Sequence, residues 1–274
     1  MLTPFARNLA GLANIAWILD LDGVIWLADQ PIPGAARAIE RLDRLGEQLL
    51  FVTNFSALTK EQAEDKLKAC GIDATGRVLT SAMAAASLVE PSERVLVCAG
   101  SGVIQAVEER GAIAFDPSDG VGAHRAIDAV IVGFHQDFDF ARLAASARAL
   151  HQGARLISTN NDPTYPTPEG LLPGNGSLTS ALATAGGVQP TIAGKPYRPI
   201  ADLALGRLGT ERGAHGNLVV GDVPSTDGLL AVELRFEFGL VLSGVTAADD
   251  VAVCDPRPDI VGDDLEALVD QVFQ

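Results

Sequence analysis

The stretch Ile15–Ile25, IAWILDLDGVI, constrains this chain more than any other. Its five apolar residues, Ile15 to Leu19, read as a buried strand. The strand ends in two carboxylates, Asp20 and Asp22, followed by a glycine. A carboxylate buried without partners costs several kcal/mol. Open α/β sheets seat their ligands just beyond the carboxyl ends of the strands. The pair therefore predicts that the rest of the chain brings partners to this point.

The remaining pattern fits such a sheet. A turn-rich segment, Asp29 to Gly34, reads as a short loop or hairpin beside the strand end. Residues 34–46 read as a helix with Ala36, Ile39, Leu42 and Leu45 on one face. Leu49–Val52 is the next buried strand, and it runs into Thr53-Asn54. Thr59–Cys70 reads as a helix, with Thr59 and Gln62 as its cap pair and Gly71 as its stop. Strand, helix, strand, helix predicts a right-handed parallel sheet.

A second alternation begins near Ser81. Helices are expected over Ala82–Val89, from the opening Gly100-Ser101-Gly102 to Arg110, and over Phe140–His151. Strands are expected over Arg94–Cys98, Ala129–Val132 and Leu156–Ser158. Thr159–Ser177 carries Pro163, Pro166, Pro168 and Pro173 and reads as a long irregular segment, a kind usually functional or disordered. Ser177 is the expected cap of a helix reaching Ala185. Beyond it lie a helix over Pro199–Leu208 and a strand over Asn217–Val220 that ends in Gly221-Asp222. A short helix at 229–235, a strand over Phe238–Leu242 and a helix over Asp264–Phe273 complete the pattern.

Composition narrows the function classes. The 274 residues carry a net charge of −15, which argues against nucleic acid and against an anionic membrane as partners. No uncharged apolar run is long enough to span a bilayer. The apolar stretch Leu9–Leu19 follows Arg7 but runs straight into Asp20 with no cleavage site, so no signal peptide is expected. Three well-separated cysteines without zinc-ligand spacing predict reduced thiols in a cytoplasmic protein.

Four polar features stand at predicted element ends: Asp20 with Asp22, Thr53-Asn54, Lys195, and Asp222 with Asp227. An aspartate can attack phosphorus and split one hard displacement into two easier ones. Phosphoryl transfer depends on positioning and on charge neutralisation. Thr53, Asn54 and Lys195 are the candidate phosphate-binding residues. Asp20, Asp222 and Asp227 offer the carboxylate oxygens that Mg²⁺ prefers. Asp22 is suited to general acid and base work.

Asp20-Leu21-Asp22-Gly23-Val24, Thr53-Asn54, Lys195 in Ala193-Gly194-Lys195-Pro196, and Gly221-Asp222 to Asp227 resemble the four motifs of the haloacid dehalogenase superfamily of phosphatases. Gln30-Pro31-Ile32-Pro33-Gly34-Ala35 and the segment Asn161 to Ser177 resemble its NagD-like, or para-nitrophenyl-phosphatase-like, branch. The resemblance covers nearly the whole chain. It implies a Rossmann-like parallel-sheet core, residues 1–80 and 193–274, with an inserted α/β cap domain at 81–192. It implies Mg²⁺, Asp20 as nucleophile, Asp22 as acid/base, and the Asp22 backbone carbonyl as a further metal ligand. It implies hydrolysis of a small-metabolite phosphate monoester, with Asn160 and Asp162 of the cap as substrate contacts. The branch often dimerises through its cap, which leaves a homodimer open.

This chain departs from the branch at three positions and in the segment Leu229–Phe238, which lacks the usual Gly/Ala-rich helix and turn. Phe55 stands where a second Asn is usual, Val223 where Arg is usual, and Gly228 where an aliphatic residue is usual. A phosphotransferase or mutase would use the same intermediate and pass it to an alcohol. A catalytically impaired phosphate-ester-binding protein is a further alternative. A signalling receiver domain fits less well, because it is shorter and has no place for the second acidic pair.

Overall fold

A computed structural model describes residues 15–28, 30–119, 126–167 and 170–273. Leu9–Asn14 of the apolar N-terminal stretch, Asp29, and Pro168 with Glu169 of the cap motif lie outside the described residues.

A six-stranded sheet has the spatial order Ile260–Gly262, Glu237–Val241, Leu218–Gly221, Ala16–Leu19, Gln48–Thr53, Val78–Thr80. The pairings from the first of these to Gln48–Thr53 are parallel. Ala16–Leu19 sits in the interior of the sheet and all four of its residues are buried. A parallel strand covered on both faces needs the continuous apolar run that this strand carries. Trp17 is fully buried, donates from its indole to Glu47 Oε2 at 3.3 Å and stacks on Phe273 at 6.2 Å.

A second sheet is wholly parallel, in the order Thr191–Ile192, Arg155–Ser158, Ala129–Val132, Arg94–Cys98, Ile113–Phe115. Its apolar core includes Leu96, Val130, Val132, Ala149, Leu156 and Leu182. The chain divides into two compact units. One holds the described residues of Met1–Val52, Glu64–Val78 and Ala201–Gln274, and the other holds those of Thr53–Ala63 and Leu79–Ile200. The fold is thus a Rossmann-like parallel-sheet core whose chain is interrupted by an inserted α/β cap.

Several local expectations hold at the atomic level. Thr59 and Gln62 form a reciprocal capping box, Thr59 N to Gln62 Oε1 at 2.9 Å and Gln62 N to Thr59 Oγ1 at 3.2 Å. Trp26–Leu27 and Gln30–Pro31 pair as a two-residue antiparallel hairpin.

Others need correction. The helix Ala35–Leu45 buries Ala35, Ala38, Ile39 and Leu42, whereas Leu45 is 49 % exposed. The buried stripe is i, i+3, i+4, i+7, and Leu45 falls beyond it in the final turn, where Gly46 at φ 76° ends the helix. Thr159–Ser177 is not irregular throughout. Thr164–Thr167 and Gly170–Pro173 pair antiparallel within it. The following helix is Asn175–Gly186, so Ser177 lies inside it and the N-cap is Gly174. Gly174 is required there because a Cβ would stand 2.3 Å from the Asp162 carbonyl oxygen.

Candidate active site

In the first unit the strand Ala16–Leu19 delivers Asp20, and its parallel neighbour Leu218–Gly221 delivers Asp222. A five-residue π turn, Pro224–Gly228, then carries Asp227 back. Carboxylate oxygens of Asp20, Asp222 and Asp227 all lie within 4.8 Å of one another. Asp222 is 3 % exposed and Asp227 fully buried. Three carboxylates at this spacing repel one another, and a hard divalent cation is the partner their oxygen-only chemistry fits.

The cluster is held by its surroundings. Val245 N donates to Asp222 Oδ2 at 2.7 Å, and Thr246 Oγ1 donates to the Asp222 carbonyl. Val223 N donates to Asp227 Oδ2 at 3.2 Å, and Leu21 N to Asp20 Oδ1 at 2.8 Å. Glycines make the close packing achievable. A Cβ on Gly221 would lie 2.1 Å from Asp227 Cγ, and one on Gly244 would lie 2.0 Å from Asp222 Oδ2. The loop Ser243–Thr246 was not singled out in the sequence, although it supplies two donors to Asp222. Ser-Gly-x-Thr after a buried strand was the available signal, and it looks like ordinary turn chemistry.

Asp22 is exposed, and its Oδ1 accepts a hydrogen bond from Trp26 Nε1 at 3.0 Å. Trp26 is 3 % exposed, and Lys66 Nζ sits 4.4 Å from its ring centroid. A cation on the π-face polarises the indole and strengthens its N–H as a donor. Gly23 N bonds to the Trp26 carbonyl at 2.7 Å, so the same residue closes the turn from both ends.

The second unit gathers Thr53, Asn54, Lys195, Asn160 and Asp162. Thr53 and Lys195 are both buried, at 4 % and 2 % exposure. Thr53 Oγ1 accepts from Phe55 N at 3.0 Å, and a hydroxyl that accepts keeps a proton to donate. The Asn54 amide grips the backbone of Lys195 at two points. Lys195 N donates to Asn54 Oδ1 at 2.7 Å and Asn54 Nδ2 donates to the Lys195 carbonyl at 3.1 Å. Asn54 Nδ2 also reaches Asp162 Oδ2 at 3.3 Å. Three of the four hydrogen-bonding positions of this amide, both N–H groups and one oxygen lone pair, are thereby used inside the protein. Gly194 lets the loop approach, since a Cβ there would stand 2.4 Å from the Thr159 carbonyl oxygen.

Asn160, 5 % exposed, is woven into the same loop. Its Nδ2 donates to the Asn54 carbonyl at 2.9 Å and its Oδ1 accepts from Asp162 N at 3.1 Å. Asn175, a residue the sequence did not single out, ties the loop to the helix behind it. Its Nδ2 donates to Ser158 Oγ at 2.9 Å and to the Asn160 carbonyl at 2.8 Å.

Comparison with known proteins identifies the family. Residues 17–113 match a haloacid dehalogenase-like hydrolase family, and residues 192–268 match a HAD-hydrolase-like one. The chain is 38 % identical over 234 residues to the 5'-nucleotidase YutF of Bacillus subtilis, covering 84 % of this chain and 88 % of the relative. It is 32 % identical over 260 residues to an acid sugar phosphatase of Staphylococcus haemolyticus, covering 93 % and 95 %. Among solved structures, a p-nitrophenyl phosphatase from Archaeoglobus fulgidus superposes with a TM-score of 0.85 at 27 % identity, over 94 % of this chain and 99 % of that one. A glycerol phosphate phosphatase from Mycobacterium tuberculosis, solved with magnesium, gives 0.82 at 33 % identity, over 93 % and 77 %. With its paired strand-end aspartates and its buried lysine, the chain belongs to the haloacid dehalogenase superfamily of phosphatases, in the NagD-like, para-nitrophenyl-phosphatase-like branch.

Proposed function

We propose that this phosphatase hydrolyses the phosphate monoester of a small metabolite through an aspartyl phosphate on Asp20. The observation that carries the reading is the cluster of Asp20, Asp222 and Asp227, with carboxylate oxygens within 4.8 Å and two of the three side chains buried. Such a set is retained at a cost in stability, which a role in holding a cation offsets. Mg²⁺ is the proposed cation, held by the three carboxylates and the Asp22 carbonyl. When bound it neutralises the charge of the phosphoryl group.

Asp20 attacks phosphorus with a carboxylate oxygen, and the bond from phosphorus to the ester oxygen breaks. Asp22 donates its proton to the departing alkoxide. Asp22 then takes a proton from water, the water oxygen attacks phosphorus, and the bond to Asp20 breaks to release phosphate. Thr53 and Lys195 are assigned to the phosphoryl oxygens. Asn54 belongs to the same group and acts by fixing the Lys195 backbone, which the paired hydrogen bonds support. Asp162 and Asn160 are the proposed cap residues of the substrate site. No described helix is long and apolar enough to cross a membrane, and three free cysteines support a reducing, cytoplasmic setting.

The test is release of p-nitrophenol from its phosphate ester, with Mg²⁺ and with EDTA, by wild type and by Asp20→Asn. Metal-dependent release that is lost in a folded Asp20→Asn protein is expected. Undiminished release by that variant would overturn the mechanism.

A further inference from the structure

Three aromatic rings of the second unit meet beside the loop that grips Lys195. Phe134 and Tyr165 have ring centroids 4.8 Å apart, Phe55 and Tyr165 5.7 Å, and Phe55 and Phe134 5.9 Å. They come from three distant parts of the chain. Phe55 follows Asn54, Phe134 lies just past the carboxyl end of the strand Ala129–Val132, and Tyr165 is in the hairpin strand Thr164–Thr167. Two parallel contacts fix their location. Asn54 touches Asp162 at 3.3 Å, and their near neighbours in sequence, Phe55 and Tyr165, stack on each other with an interplanar angle of 30°. The trio therefore adjoins the amide whose oxygen receives the Lys195 N–H at 2.7 Å.

Each of the three rings is only half-buried. In the first unit Trp17 and Phe51 are by contrast fully buried. Phe55 and Phe134 lie just past the carboxyl ends of parallel strands, where open α/β folds receive their ligands, and Tyr165 of the antiparallel hairpin packs on both. Half-open rings present π-faces and edges on which another flat ring can stack. They offer few hydrogen bonds to a polyhydroxylated chain.

We infer that Phe55, Phe134 and Tyr165 form the wall that receives the organic part of the ester, and that they select phosphate esters whose leaving group contains a planar aromatic ring over sugar or glycerol esters. This rests on the proposed role of Lys195 in holding the phosphoryl group. Phe55 is a specificity-determining residue in this reading, because it links the ring wall directly to the Thr53-Asn54 segment. The ring of an aryl ester and the base of a nucleoside monophosphate share the chemistry that such a wall recognises.

The test uses phosphonates, which bind without being hydrolysed. Calorimetry in excess Mg²⁺ compares phenylphosphonate with methylphosphonate on wild type, Phe55→Leu and Phe55→Tyr. Wild type is expected to prefer phenylphosphonate about tenfold, ~1.4 kcal/mol. Phe55→Leu, which keeps an apolar side chain but no ring, is expected to reduce that preference to about twofold, and Phe55→Tyr to retain it. Equal affinities in wild type, a preference unchanged in Phe55→Leu, or no binding of either phosphonate would each overturn the inference. KM values for p-nitrophenyl phosphate, a nucleoside 5'-monophosphate and glycerol phosphate then separate the two aromatic sources. A ring preference in binding without turnover of any ester leaves the wall standing and removes the phosphatase mechanism. Turnover without a ring preference does the reverse.

Discussion

Replacing Asp227 by Asn should make the metal-free protein more stable. The carboxylates of Asp20, Asp222 and Asp227 lie within 4.8 Å of one another. Two unit charges at 4.8 Å and an effective dielectric constant of about 20 repel by about 3.5 kcal/mol. Asp227→Asn removes two of the three pairs, a gross relief of about 7 kcal/mol on the same basis. Asp20 is only part-buried and the side chains can separate, so a net gain of about 2 kcal/mol is expected. The amide has the size of the carboxylate and retains an oxygen to accept from Val223 N, and its NH2 can donate to the two remaining carboxylates. Thermal unfolding in EDTA should therefore rise by about 5 °C, at about 2–4 °C per kcal/mol for a chain approaching this size. Adding Mg²⁺ should raise the wild-type midpoint through mass action and leave the variant nearly unmoved. A variant that melts at or below wild type in EDTA would refute the electrostatic reasoning. An equal Mg²⁺ response in both proteins would remove Asp227 from the metal site.

Other expectations follow from single contacts. Gly244→Ala would place a methyl 2.0 Å from Asp222 Oδ2, so Mg²⁺ affinity measured by calorimetry should fall at least tenfold, with a loss of about 1–3 kcal/mol in stability. Trp26→Phe removes the indole donor to Asp22. Its kcat should fall further for glycerol phosphate, whose leaving alkoxide needs a proton, than for p-nitrophenyl phosphate; equal losses on both esters would show a purely structural role. Asn54→Leu strands the N–H of Lys195, and denaturant titration should show a loss of about 1–3 kcal/mol. Burial pushes the Cys98 thiol up to about 12 from its ordinary 9.0. The folded chain then holds that proton where the unfolded chain has released it, so stability from this group is lost as pH rises from about 9 toward about 12. A thiol reagent at pH 8 should modify Cys98 only after unfolding.

Three of the four candidate motifs stood out in the sequence because each follows a run whose burial shows in its composition, whereas Lys195 follows Thr191–Ile192, a two-residue strand with no buried residue. Ala16–Leu19 and Leu218–Gly221 are buried on both faces, so their apolar runs are unbroken and their polar ends stand out. Short edge strands carry no such signal. Ile113–Phe115 has an exposed first residue and no fully buried one, and Ile260–Gly262 is three residues long. The hairpin of Thr164–Thr167 with Gly170–Pro173 was hidden by its own prolines, which an antiparallel pair tolerates only at positions that owe no donor. Leu45 was placed on the buried face from a three-residue spacing that the last turn of its helix does not honour. The Ser243–Thr246 loop escaped notice because its contribution to Asp222 is made partly through backbone N–H, which every non-proline residue possesses. Asn175 and the ring trio depend on approach between distant segments, and no local pattern encodes such an approach.

The interior position of Ala16–Leu19 has a consequence for synthesis. One of its flanking strands, Gln48–Thr53, leaves the ribosome soon after it. The other, Leu218–Gly221, comes about two hundred residues later, after the whole inserted unit has been made. At about 5–20 residues per second that interval lasts about 10–40 s. The strand bearing Asp20 waits through that interval for its second neighbour, with one open edge that a chaperone or an errant strand can occupy. The insertion, by contrast, has all of its own strands before residue 218 emerges. Slowing translation between residues 200 and 218 should therefore lower the yield of folded core without affecting the insertion.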